Sequence, residues 1–264
     1  AFFIDSEVWP NMILNLKKKK IPIVLINVRI TKKSFFRLQF FKKFSYNIFS
    51  KFNLCLTSNS ETKNFLNKLG AQNVIKIGNL KFSQLEKNSI LINQNLKKFI
   101  KSKKVWCASS THYNEEELCG QVHKQLKQKY KNLLTIIIPR HINRASSIKD
   151  SLNKEGLKVH LHQPNTKIKN DIDIYIVNAY GQTKSFYSYC KNVFLGGSII
   201  NHGGQNPLEA ARFGCNILHG PNVSNFREIY QFLKQNKISF KINRSKIMSK
   251  ILIKLFSSNK NSNQ

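Results

Sequence analysis

Acidic side chains are scarce in this sequence: 13 Asp and Glu stand against 44 Lys and Arg, a formal charge of +31. Such a field attracts anions of any kind, whether nucleic acid, anionic lipid headgroups, phosphorylated sugars or nucleotides. The lysines do not gather on one segment, and Lys, Asn, Ile and Phe are abundant throughout, so compositional bias accounts for most of the excess. Paired cysteines are lacking as well. Cys55, Cys107, Cys119, Cys190 and Cys215 stand singly, with no CxxC and no metal-ligand spacing, which points to reduced thiols in a cytoplasmic protein and to no metal. No run approaches the roughly 20 apolar residues needed to cross a bilayer. There is no signal peptide, no internal repeat, and no RRM, KH or zinc-finger pattern; nucleic acid is therefore not an expected partner.

What is present is alternation. Short apolar runs at residues 1–4, 23–27, 54–57, 74–77, 105–108, 133–138, 158–161, 172–177, 193–195 and 216–218 read as strands. Helix-period segments at 11–19, 34–51, 61–69, 114–131, 144–155, 183–190, 207–213 and 224–234 lie between most of them. Strand–helix alternation predicts α/β architecture with parallel sheets covered by helices. Ten strands exceed one compact sheet, and the polar stretch 81–103 divides them four and six. The expected domains are 1–85, 86–242, and a C-terminal helix with a polar, disordered tail over 243–264, the helix spanning 245–256.

The most informative segment is GGSIINHGGQNPLEAARFG (residues 196–214). An apolar strand runs into Gly196, Gly197 and Ser198; a second pair, Gly203 and Gly204, precedes a helix. Asn206 suits the N-cap, Pro207 the first helical position and Gly214 the stop. Glycines beside free backbone N–H groups make an anion site of the kind nucleotide phosphates use. Glu209, three residues beyond Asn206, serves equally as the capping-box acid or as an acceptor for ribose hydroxyls.

That segment closely resembles the GGS…GGHNPLE…A…G stretch of the Kdo (3-deoxy-D-manno-octulosonic acid) transferases. IIIPRH (136–141) resembles their PRH motif, ASSTH (108–112) followed by Glu115, Glu116 and Glu117 their STHxGE, and DSEVWPN (5–11) their SELWPN. INVRITKKS (26–34) is similar to NARLSxxS, IGNLKF (77–82) to GNLKFD, and GPNVSNF (220–226) to GPxxxNF. Singly several of these are weak; seven in family order over nearly the whole chain are specific.

The resemblance implies a GT-B architecture, two Rossmann-like domains with ligand sites beyond the strands' carboxyl ends. It implies CMP-Kdo as donor and lipid A precursor as acceptor, in metal-independent, inverting transfer without a cofactor at the cytoplasmic face of the inner membrane. An anionic membrane surface is then an expected partner. Carried over by position, Pro139 and Arg140 would contact CMP, the guanidinium by its planar fork. Tyr180, Gly181 and Gln182 match a second CMP-contacting turn, with Gln182 in place of the usual acid. Asn206, Pro207, Leu208 and Glu209 match a third.

Ser110, Thr111 and His112 would face the donor sugar, although structural roles suit His112 and His141 as well. Gln205 replaces a histidine and keeps hydrogen bonding. Glu7 and Lys81 match two charged positions that stabilise the transition state. Without the resemblance, Glu7 reads as a first-turn acid of the helix after it, and Lys81 as one more solvated lysine.

The chain opens on Ala1-Phe2-Phe3-Ile4-Asp5, a strand already under way with no initiator Met, so a truncated N-terminus is expected. The family's general base, a Glu, would lie upstream, and its loss would remove ~10²–10⁴-fold of rate. The competing readings are another GT-B enzyme using a UDP- or GDP-sugar, which the PRH and SE-x-WPN motifs fit poorly, and a basic RNA-binding protein, prompted by the charge.

Overall fold

The structure is a computed structural model describing residues 1–5, 7–78, 80, 92–162 and 168–258. The chain forms two compact units, Ala1–Glu86 and Lys87–Gln264. No helix among the described residues is long and apolar enough to cross a membrane.

In the first unit, β1 (Phe2–Ile4), β2 (Val24–Val28), β3 (Leu54–Thr57) and β4 (Val74–Lys76) lie in that order. All three pairings are parallel. The return of each strand to the same edge requires crossover helices, supplied by α1 (Pro10–Lys18), α2 (Lys32–Phe40) with α3 (Lys42–Phe49), and α4 (Ser60–Lys68). Each helix buries one stripe: Ile13 of α1, Phe35 of α2, Ile48 and Phe49 of α3, and Leu66 of α4 pack with Leu25 and Cys55 of the sheet. Thr31 and Asn59 cap α2 and α4 by accepting from Ser34 N and Thr62 N.

The single helix expected over 34–51 is broken at Phe41, where φ is −96° and ψ 51°. No Gly or Pro marks the break. It lets Phe35 stack on Phe65, ring centroids 4.1 Å apart, while Ile48 and Phe49 still reach the sheet; the Ser45 hydroxyl ties the halves by donating to Leu38 O at 2.6 Å.

The second unit is a seven-stranded sheet. Its strands are β5 (Lys104–Thr111), β6 (Leu133–Pro139), β7 (Val159–Leu161), β8 (Ile174–Ile176), β9 (Asn192–Leu195), β10 (Asn216–His219) and β11 (Ser239–Lys241), in the order β11-β10-β9-β5-β6-β8-β7. Every pairing is parallel. The order reverses between β5 and β9, where the carboxyl ends of an open α/β sheet diverge and leave room for a ligand. Six strands were expected here; the extra one, β11, is three residues long with one buried position, too brief for its period to register.

Two cores flank this sheet. One packs α5 (Gln94–Lys101), α8 (Thr183–Tyr187), α9 (Leu208–Arg212) and α10 (Arg227–Gln235), through residues such as Phe99, Phe186, Ala210 and Ile229. The other holds α6 (Glu115–Lys127), α7 (Ala145–Lys154) and α11 (Ser245–Ser258), through Val122, Ile148, Met248 and Leu252. Thus α5 occupies the later half of the polar stretch 81–103, whose residues 81–91 lie outside those described. Helix α11 takes in Ser257 and Ser258 from the expected tail; the remaining tail also lies outside the described residues.

At the amino ends of the strands, Asp173 is buried under a cluster of donors. His123 Nε2 lies 3.3 Å away, Lys158 N donates to it at 2.9 Å, and Lys127 Nζ pairs with it. Burial works to raise its carboxyl, but these partners prevail and hold it well below the usual range. All five cysteines are free and buried. Burial pushes the Cys55 and Cys215 thiols up to about 12, and those of Cys107 and Cys119 well above their ordinary value.

Candidate functional site

At the carboxyl ends of the second sheet, one buried carboxylate organises two loops. Glu115 opens α6 and is completely buried. Its Oε2 accepts from His112 N at 3.0 Å and Gly197 N at 2.7 Å, while Oε1 accepts from Ser198 N at 3.1 Å and Ile199 N at 3.0 Å. A buried charge is tolerated only with such pairing. Expected to receive a ligand, the first glycine pair instead spends its loop's N–H groups on an internal anion, a backbone nest closed by the protein's own acid. The approach is tight: a Cβ on Gly196 would meet Ser110 O at 2.3 Å and Glu115 Oε2 at 2.7 Å.

GPNVSNF braces the same loop from below. Gly220 N donates to Ser198 Oγ at 2.8 Å, Asn222 N to Ser198 O at 2.9 Å, and Asn222 Nδ2 to Ile199 O at 2.9 Å. A Cβ on Gly220 would fall 2.1 Å from Ser198 O. Asn225 N donates to Gly203 O at 3.0 Å, so the second glycine pair rests on this motif too.

Strand β5 ends in a bulge, with Ser110 at φ +54°. Beyond it, Thr111 O accepts from Arg140 N at 3.0 Å, joining the STH loop to the PRH motif. Pro139 is the buried last residue of β6, whereas the Arg140 side chain is exposed and makes no ion pair among the described residues. The buried His112 ring lies 4.5 Å from that of His202 and 6.0 Å from that of His141, centroid to centroid. Its Nε2 is 3.4 Å from Gln205 Nε2, a long contact that suits a neutral imidazole accepting at Nε2. Burial, then His202, His141, Arg144 and Arg140, lower the His112 pKa to about 4. Beside the cluster, Arg144 forms a bidentate pair with buried Glu116, Nη1–Oε1 3.0 Å and Nη2–Oε2 3.1 Å.

The NPLE turn differs in detail from expectation. Helix α9 begins at Leu208 rather than Pro207, and Asn206 Oδ1 accepts from Leu208 N at 3.1 Å. With five residues, α9 carries little macrodipole, so any anion affinity there rests on local N–H groups. Glu209 Oε1 lies 3.6 Å from Lys184 Nζ, which sets the start of α9 beside the start of α8. Gln182 precedes α8; Tyr180 and Gly181 form the exposed turn ahead of it, Gly181 at φ +77°.

Within the first unit, three further motifs meet at the strand ends. Asn27 Nδ2 donates to Asp5 Oδ1 at 2.6 Å, and Leu80 N donates to Asn27 Oδ1 at 3.0 Å. Asp5 and Asn27 both take positive φ, 59° and 57°, a conformation their short polar side chains tolerate. Glu7 is exposed two residues beyond Asp5 and three before α1, so it is no first-turn acid. Lys81 lies outside the described residues. A pocket of about 330 Å³ opens at the end of β2; Val8 and Pro10 from one motif and Arg29, Ile30, Thr31 and Ser34 from another help to line it.

Two parallel α/β units with sites at their strand ends define the GT-B class of glycosyltransferase folds. The architecture matches that of a trehalose 6-phosphate synthase from Burkholderia multivorans at TM-score 0.54 and 8% identity, over 97% of this chain and 62% of that one. It also matches the C-terminal CMP-Kdo binding domain of WaaA from Acinetobacter baumannii at TM-score 0.59 and 20% identity, over 63% of this chain and 87% of that one. Residues 1–84 match the family described as 3-deoxy-D-manno-octulosonic-acid transferase (kdotransferase). The 3-deoxy-D-manno-octulosonic acid transferase of Rickettsia bellii is 32% identical over 92% of this chain and 58% of its own length. The chain is thus similar to Kdo transferases over most of its length and spans a little more than half the length of the curated relatives it matches.

Proposed function

We propose that the chain belongs to a glycosyltransferase that moves Kdo from CMP-Kdo onto lipid A precursor in lipopolysaccharide synthesis. In this reading the transfer is inverting and metal-independent and takes place at the cytoplasmic face of the inner membrane. One observation carries the proposal. The STH, PRH and NPLE motifs, whose first residues are 29 to 96 positions apart in sequence, converge at the carboxyl ends of β5, β6 and β9, with His112 in contact with Gln205 and within the field of Arg140.

Arg140 supplies an exposed guanidinium uncommitted to any carboxylate among the described residues, fit for a bidentate phosphate contact. Asn206 to Glu209 and the Tyr180–Gln182 turn, held together through Lys184 and Glu209, frame the nucleotide. As the bond to CMP breaks, negative charge grows on the phosphate and Arg140 opposes it; Glu7 and Lys81 keep the transition-state roles that the family resemblance gives them. Kept neutral by its surroundings, His112 can donate or accept a hydrogen bond without adding charge. On the first unit, the apolar pocket flanked by Arg29 and Arg37 suits a phosphorylated, acylated acceptor.

Calorimetric titration of this chain with CMP and with UDP tests the donor assignment. The expected result is CMP binding at least tenfold tighter; equal affinity, or preference for UDP, overturns it in favour of another GT-B transferase.

A further inference from the structure

The first unit carries a feature that donor chemistry does not use. From Thr31 to Phe52 the sequence has no acidic residue, yet it holds Lys32, Lys33, Arg37, Lys42, Lys43 and Lys51. The α2–α3 hairpin formed there turns its bulk outward: Phe36 is 65% exposed, Phe40 84%, Phe41 59% and Phe44 53%. These aromatics surround the break at Phe41, where Phe40 and Phe41 meet edge to face at 5.2 Å. The inward residues Phe35, Ile48 and Phe49 already complete the core. Lys33, Arg37, Lys42 and Lys43 are exposed and form no ion pair among the described residues.

We infer that the α2–α3 hairpin docks on an anionic lipid bilayer, with Phe36, Phe40, Phe41 and Phe44 entering the headgroup–acyl boundary and the flanking cations meeting lipid phosphates. Exposed phenylalanines lower their free energy by leaving water, and a ring of lysine and arginine adds attraction to a negative surface. The chemistry selects this occupant over others. A second copy would bring one acid-free basic face against another, which like charge opposes. Single-stranded nucleic acid would also meet aromatics and cations, but the sequence carries no RRM, KH or zinc-finger pattern, and RNA binding enters as an outcome of the test. The inference assigns a surface to the membrane placement proposed above, but stands independently of CMP binding. A chain that fails the nucleotide titration can still pass the vesicle test.

The experiment is co-sedimentation of the 264-residue chain with vesicles of phosphatidylethanolamine and phosphatidylglycerol, and with phosphatidylcholine alone, at physiological salt. Binding to the anionic vesicles at least tenfold above the neutral ones is expected. F40S/F41S should lower that affinity tenfold or more with an unchanged circular dichroism spectrum, and K42Q/K43Q should narrow the gap between lipids. In a Phe40→Trp variant, vesicles should shift the added tryptophan emission to the blue and shield it from acrylamide, relative to the parent. Unchanged binding by F40S/F41S would show that diffuse charge suffices and overturn the inference. So would a parent chain indifferent to both lipids, leaving the face to another polypeptide. Loss of RNA binding or of self-association in F40S/F41S, without loss of vesicle binding, overturns it as well.

Discussion

Glu115 Oε2 accepts from Gly197 N at 2.7 Å across 82 positions of sequence, so an acid at the start of one helix fixes the loop after another strand. Three more backbone amides share this carboxylate. Glu115→Gln turns a donor amide toward part of that set and leaves N–H groups without an acceptor. We expect a loss of about 3 kcal/mol of stability, measured by urea unfolding. CMP affinity should also fall, because His112 and the GGS loop lose their common anchor. Unaltered stability would contradict the described hydrogen bonding.

Arg140→Ala should behave in the opposite way. Its side chain is exposed and pairs with no acid among the described residues, so the unfolding midpoint should hardly move. Charge-assisted phosphate contacts contribute about 1.5–3 kcal/mol, and CMP binding should weaken roughly ten- to a hundredfold by calorimetry. Retained affinity would remove Arg140 from the donor site.

His112 sets a direction for stability against pH. Its folded pKa is lowered from 6.5 to about 4, so between those values the unfolded chain binds the additional proton. Stability therefore rises with pH through this window and is lost as pH falls from 6.5 toward 4. His160, His162 and His219 are lowered too. Hence His112→Asn should reduce the slope of stability between these pH values by roughly one proton rather than abolish it, as read from denaturant midpoints at several pH values.

Asp173 acts at the other end of the strands. Asp173→Asn leaves His123 and Lys127 without their anion and should cost roughly 3 kcal/mol. The depressed carboxyl gives stability that is present above its unfolded pKa of about 3.9 and lost as pH falls below it; the variant should lack that acid limb. CMP affinity should be unchanged, which separates this buried network from the nucleotide site.

Much of the architecture was legible because strands here are short apolar runs bounded by polar residues, continuous where both faces are covered as in Leu133–Pro139, and separated by helix-period segments. The fold expectation, α/β with parallel sheets of the GT-B type, agrees with the structure. What escaped is instructive. β11 exposes too little pattern in Ser239–Lys241, and the break at Phe41 has no Gly or Pro to announce it. Glu115 falls on the Glu of the STHxGE resemblance, but nothing in that motif says that it will meet amides 82 to 84 positions away. Glycine-rich loops advertise free N–H groups but not who claims them, so the first pair was assigned to a ligand when an internal carboxylate holds it. Asn114 at φ +69°, where the resembling motif has Gly, was the one local hint of a demanding turn before that acid.

The distribution of thiols gives the protein a built-in probe of its own opening. Cys55 belongs to the first unit, and Cys107, Cys119, Cys190 and Cys215 to the second, all sealed from solvent. With no disulfides to reduce and thiolates suppressed at the sites where burial raises the pKa, alkylation of the native chain must wait for local or global unfolding. Mass-resolved labelling would then time the two halves separately: one adduct for release of the first sheet, up to four for the second. A mixed-charge-poor, lysine-rich chain thus carries its own stopwatch without an introduced dye.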